Sequence, residues 1–172
     1  IMRELAIWFT VKFCDFLKVS PRSVKKIENI PFLPIQFFKS HRVISKSVSE
    51  TITFTSSGTT GSITSKHNVS DLNLYEKSFL TAFELFYGDP SEYAILALLP
   101  SYIERGGSSL VYMVDFLIND SDNVHSGFYL KDIDALIEKL IFLEKIKQKT
   151  ILLGVSYALL DLIEKQQFNL KN

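Results

Sequence analysis

Short apolar runs of strand length, at residues 51–55, 93–99 and 150–153, alternate with longer stretches whose apolar residues recur every three or four positions. That alternation predicts an α/β fold, a mostly parallel sheet flanked by helices. Ser70 or Asp71 can cap a helix with Tyr75, Phe79, Phe83 and Phe86 on one face, ending before Gly88-Asp89-Pro90. Ser108 and Ser109 follow Gly106-Gly107 and open a second helix, with Leu110, Met113, Val114 and Leu117 on one face. A third, over about 132–147, turns Ile133, Leu136, Ile137, Leu140, Leu143 and Ile146 inward. A fourth is capped by Ser156 and runs through Leu159, Leu160 and Ile163.

The first fifty residues read differently. "IMRELAIWFTVKFCDFLKV" is interrupted by Arg3, Glu4, Lys12, Asp15 and Lys18, more often than a signal peptide or a membrane span tolerates. It predicts an amphipathic helix with Leu5, Trp8, Phe9, Phe13, Phe16 and Leu17 on the buried stripe. Pro21, Pro31 and Pro34 then favour an extended, irregular arm. The 172 residues suffice for one domain, a helix and proline-rich arm over 1–50 followed by a βα core over 51–172. Nineteen basic and nineteen acidic residues cancel, so no net charge draws the chain to nucleic acid or an anionic membrane. Cys14 is the only cysteine, which excludes an internal disulfide, and no Cys/His spacing makes a zinc site. A reducing, cytoplasmic setting fits best.

One stretch concentrates hydroxyls and lacks bulk: "FTSSGTTGSITSKH", residues 54–67. A strand ending at Thr55, a loop over 55–62 and a helix starting near Ser70 are expected. Glycines let backbone N–H groups approach an anion, and hydroxyls add donors without charge, so the loop reads as a phosphate cradle. The lysine-bearing P-loop pattern fails because Ser62 follows Gly61, and Gly-x-Gly-x-x-Gly fails because Gly58 and Gly61 are the only glycines here.

What remains, Ser56-Ser57-Gly58-Thr59-Thr60-Gly61, resembles the phosphate-binding signature of adenylate-forming enzymes. "IPFLPIQFFKSH" (30–41) resembles the segment preceding that loop in the acyl-protein synthetases of bacterial bioluminescence, and less closely its counterpart in phenylacetate-coenzyme A ligases. "LLPSYIERGG" (98–107) and "LLGVSYALLDLIE" (152–164) resemble the segments that follow, so the resemblance spans nearly the whole chain. It implies the N-terminal portion of the large domain of an ATP- and Mg2+-dependent ligase. Such an enzyme makes an acyl-adenylate from a carboxylic acid, here a fatty acid, and passes the acyl group to a thiol, a protein cysteine or coenzyme A. Ser56, Ser57, Gly58, Thr59, Thr60 and Gly61 would hold the ATP phosphates.

Departures bear on the roles. Thr64 stands where the family has a lysine, so either Lys66 takes that contact or the loop works without it; Ile103 replaces a histidine found in many relatives. The acidic metal ligand, ribose-binding aspartate, lid lysine and acyl-accepting cysteine are expected beyond Asn172. No catalytic residue and no metal ligand is therefore assigned here. Weak ATP binding and self-association through open sheet edges are expected of the chain alone.

Glu104 and Arg105 precede Gly106-Gly107 and a helix start, where an arginine can hold a carboxylate or phosphate, or form an exposed ion pair. With Gly106, Tyr102 and His67 they make up the candidate substrate pocket. Packing is the expected role of Cys14, over that of an acyl acceptor, and of Phe32, Phe37, Phe38 and Tyr102, over an acyl-binding pocket, and His41 and His125 have no sequence partners that would make them ligands or bases. The loop alone also fits a non-catalytic phosphate-ligand module, and an ATP-independent acyltransferase is a third reading.

Overall fold

The computed structural model describes residues 13–20, 22–44, 48–56, 63–100 and 106–171. The chain divides into two compact units, Ile1–Tyr75 and Glu76–Asn172.

The first unit is built on an antiparallel pair, β1 (Ile52–Thr55) and β2 (Lys66–Val69), with Ile52 opposite Val69, Phe54 opposite His67 and Thr55 opposite Lys66. β1 alternates Ile52 and Phe54 with threonines, the pattern of a strand covered on one face only. Phe54 is buried, with the Tyr75 ring 5.2 Å away. Residues 51–55 therefore do not join the parallel sheet expected of them, because their alternation suits a hairpin and their neighbour is β2. β2, Lys-His-Asn-Val, was not foreseen. It carries almost no strand propensity, and its conformation comes from the ladder with β1, extended by Thr51 N–H to Val69 O at 2.8 Å.

Before the hairpin, α1 (helical at 13–16) ends where Lys18 adopts φ 55° and Val19 N–H donates to Cys14 O at 2.9 Å. Cys14 is buried, and Phe13 meets the Phe37 ring edge-on at 5.4 Å. Phe16 is 81% exposed and Leu17 is also exposed, against expectation, because the helix stops there and offers no following turn to pack them. Leu5, Trp8 and Phe9 lie outside the described residues. The described part of the arm carries a 3-10 turn at Ile27–Asn29 and a short α-helix, α2 (Phe37–Ser40), entered from Pro34, whose carbonyl accepts from Phe37 N–H at 3.0 Å. Phe32, expected to pack, is 95% exposed.

In the second unit three parallel strands lie in the order β4 (Gly127–Phe128), β3 (Ala94–Leu98), β5 (Thr150–Gly154). β3 is central and buried at every residue, and Ala-Ile-Leu-Ala-Leu has the unbroken apolar run that a strand covered on both faces needs. The remaining helices are α3 (Leu72–Tyr87), α4 (Ser109–Asp120), α5 (Ile133–Ile146) and α6 (Ser156–Lys165). Ala94, Leu96 and Leu98 pack with Leu136, Leu140 and Leu143 of α5 and Leu162 of α6, whereas Ala97 and Leu99 pack with Val114 of α4. Phe79 of α3 meets Phe116 of α4 edge-on at 5.3 Å. The fold class read from the sequence holds here: a parallel sheet flanked by helices on both faces.

Caps follow the expected residues at two helices, and a third forms on Asp132, which was not singled out as a cap. Asp71 Oδ1 accepts from Leu74 N–H at 3.1 Å, Ser108 Oγ from Val111 N–H at 3.4 Å, and Asp132 Oδ1 from Ala135 N–H at 2.9 Å. Ser156 is instead the first residue of α6, and no side chain caps that helix. The buried stripe of α6 runs through Ala158 and Leu162 and leaves Leu160 and Ile163 exposed. The first turn of α6 starts right after β5, and Gly154 there has no room for a Cβ, which would meet Leu159 at 2.9 Å and Leu98 Cβ at 3.1 Å. Phe86, Leu110 and Ile146, also expected inward, are exposed near helix ends.

β4 has only two residues and was not foreseen. Its work is extended by Ser126, whose Oγ accepts from the buried Ile95 N–H at 2.9 Å and lies 2.9 Å from Ser121 Oγ. Ser126→Ala leaves that amide unpaired, and urea denaturation should show a loss of about 1–3 kcal/mol. A loss below a few tenths would mean that the amide finds another partner. Among the described residues no helix is long and apolar enough to cross a membrane.

Candidate functional site

The hydroxyl-rich stretch joins two hydrogen-bonded strands. Ser56 N–H donates to Ser65 O at 3.1 Å, and Ser65 N–H donates to Ser56 Oγ at 3.0 Å. The ladder thus continues one pair beyond Thr55 and Lys66, and holds both ends of the segment between them. Ser65 is buried and Ser56 exposed, so the clamp is anchored on one strand and open on the other. Ser57, Gly58, Thr59, Thr60 and Gly61 lie outside the described residues.

Strand alternation sorts the side chains of the hairpin. Thr53, Thr55, Lys66 and Asn68 share one face, and Phe54 and His67 the other. On the first face Thr53 Oγ1 donates to Asn68 Oδ1 at 3.0 Å, and Asn68 Nδ2 donates to Val43 O at 3.4 Å. Asn68 thereby ties the hairpin to the end of the arm. A groove of about 520 Å³ results, lined by Lys66, Thr53 and Asn68 from the hairpin and by Lys39, His41, Arg42 and Glu50 from the arm. Ile63, next to the hydroxyl-rich segment, also lines it.

The charge in the groove is unbalanced. Arg42 pairs with Glu50, whose carboxyl is held below its ordinary value first by its own backbone N–H and then by Arg42. Lys39 and Lys66 have no ion-pair partner among the described residues, so two ammonium groups set the sign of the field. Ser40 Oγ and His41 Nδ1 lie 2.8 Å apart at the rim. Such a groove can hold a phosphate-bearing anion by charge. It does not suit magnesium. Its single carboxylate is engaged by Arg42, and among the described residues no group of three or more His, Cys, Asp or Glu could hold a metal ion.

Placement of the sequence candidates is uneven. Ser56 and Lys66 fall at the mouth of the hairpin. His67 does not line the groove: it stands on the other face, stacked 4.6 Å from the Phe38 ring, with Nε2 3.3 Å from Ser65 Oγ. Gly106 belongs to the second unit, exposed, with nothing within 4 Å of where a Cβ would sit. Tyr102, Glu104 and Arg105 lie outside the described residues. Central β3 ends at Leu98. From there α4 leads to β4 on one side, and α5 then leads to β5 on the other. That is the point of divergence where open α/β sheets place ligands.

Lys39, Arg42, Thr53 and Asn68 were not singled out from the sequence. The available signal was "KSHR", a basic cluster inside a segment otherwise read for its prolines and aromatics.

No family model matches the chain, and searches of curated proteins and of solved structures found no match.

Proposed function

We propose that this chain is the N-terminal part of an ATP-dependent acyl-activating ligase of the acyl-protein synthetase kind, working in the cytoplasm on a fatty or related carboxylic acid. One observation supports the reading above the others: the chain between β1 and β2 is clamped at Ser56 and Ser65, and Lys66, one residue beyond the clamp, lines a groove in which neither it nor Lys39 has an ion-pair partner among the described residues. A hydroxyl-rich, glycine-containing stretch in the chain next to Lys66 suits the triphosphate of ATP, whose charge must be neutralised as pyrophosphate departs.

In the proposed reaction the carboxylate oxygen attacks the α-phosphorus of ATP and the bond to pyrophosphate breaks. A thiolate then attacks the acyl carbon and AMP leaves with the carboxylate oxygen. Activation precedes transfer because a carboxylate lacks a leaving group. The role of this chain is to bind and position the phosphates. Mg2+ would enter with the nucleotide, since the groove offers it no ligand set.

The test is ATP–pyrophosphate exchange by the polypeptide that contains this chain, offered a panel of fatty and aromatic acids. Exchange that depends on one acid is expected. Acyl transfer to a thiol from a preformed thioester without ATP would replace this reading with an acyltransferase. Phosphate binding without any exchange would replace it with a ligand-binding module.

A further inference from the structure

The groove has a wall that the loop resemblance does not include. Lys39 stands in α2 and Arg42 just after it, facing the same space as Lys66 on β2. The two lysines carry strongly hydrated point charges on flexible stems, suited to phosphate oxygens, and neither is spent on a carboxylate among the described residues. Arg42 is spent, on Glu50, so the residue best built for two-point phosphate binding is occupied. A single phosphate would leave much of a groove of about 520 Å³ unfilled. A diphosphate carries more charge and greater length, and can engage both ammonium groups at once.

We propose that this groove is a diphosphate-binding site, with Lys39 and Lys66 as its cationic contacts and Glu50 as the group that limits its affinity. The proposal deepens the ligase reading and rests on it for its biological meaning: the groove would receive the pyrophosphate end of ATP. Lys39 becomes a binding residue that the family signature does not contain. Glu50 acquires a role opposite to the lysines, since its carboxylate lies in the same groove and repels an incoming anion while restraining Arg42.

The experiment is calorimetric titration of the full chain with inorganic pyrophosphate at low salt, beside orthophosphate and ADP, for the parent and for Lys39→Gln, Lys66→Gln and Glu50→Gln. All three positions are solvent-exposed, and circular dichroism is to check that each variant folds. One site per chain is expected, tighter for pyrophosphate than for orthophosphate. Each lysine variant should weaken pyrophosphate about five- to tenfold, with a shallower salt dependence, and Glu50→Gln should tighten it. An unchanged Lys39→Gln, or a Glu50→Gln that weakens binding, overturns the proposal. ADP showing the same lysine dependence assigns the site to the tail of a nucleotide, and pyrophosphate binding alone assigns it to the free anion; both sustain it. Pyrophosphate binding without acid-dependent exchange keeps the groove and sinks the ligase reading. Exchange whose KM for pyrophosphate is indifferent to Lys39→Gln does the reverse.

Discussion

Leu96→Ala should cost about 2–5 kcal/mol of stability, the range for truncating a fully buried leucine. Leu96 is 0% exposed in the middle of β3, paired in register with Gly127 on one side and Leu152 on the other. Its side chain packs in the cluster that α5 and α6 close through Leu136, Leu140, Leu143 and Leu162. No neighbour can collapse into the gap cheaply, because β3 is held on both edges. Small domains have only about 5–15 kcal/mol in total, so a large share of the margin would go. Urea denaturation followed by circular dichroism checks it, and a change under about 1 kcal/mol would mean that β3 is not the centre of the core.

The other large effect concerns the hydroxyl-rich stretch. Changing Thr59 and Thr60 together to alanine should lower acid-dependent ATP–pyrophosphate exchange by about a hundredfold or more, the scale seen when donors to a developing charge are removed. Folding should be untouched, since the Ser56–Ser65 clamp keeps the hairpin closed without them. Unchanged exchange in the double variant would remove the stretch from the phosphates.

What could be read from the sequence, and what could not, follows from how local each signal is. β3 was legible because an unbroken apolar run is itself the requirement for a strand buried on both faces. The caps at Asp71 and Ser108 were legible because a cap acts within three residues. β2 was not, since Lys66, His67 and Asn68 become a strand only through the hairpin with β1. β4 is two residues long and leans on Ser126, a hydroxyl that no periodicity would mark. Periodicity found the helices but misjudged their ends, where Phe16, Phe86 and Ile146 have no next turn to cover them. At the candidate site, the stretch from Ser56 to Gly61 announced itself by composition. The groove did not, because Lys39 and Arg42 meet Lys66 only after the arm folds back on the hairpin, tied there by Asn68 to Val43.

Acyl-adenylate formation makes a demand that no other reading shares: an oxygen of the acid must end in AMP. The direct measurement is turnover of a carboxylic acid labelled with oxygen-18 in both carboxylate oxygens, with ATP and a thiol acceptor, in the polypeptide containing this chain, with AMP and pyrophosphate analysed by mass spectrometry. One labelled oxygen in each AMP and none in pyrophosphate is the expected result. Unlabelled AMP, or label in orthophosphate released alongside ADP, would contradict it.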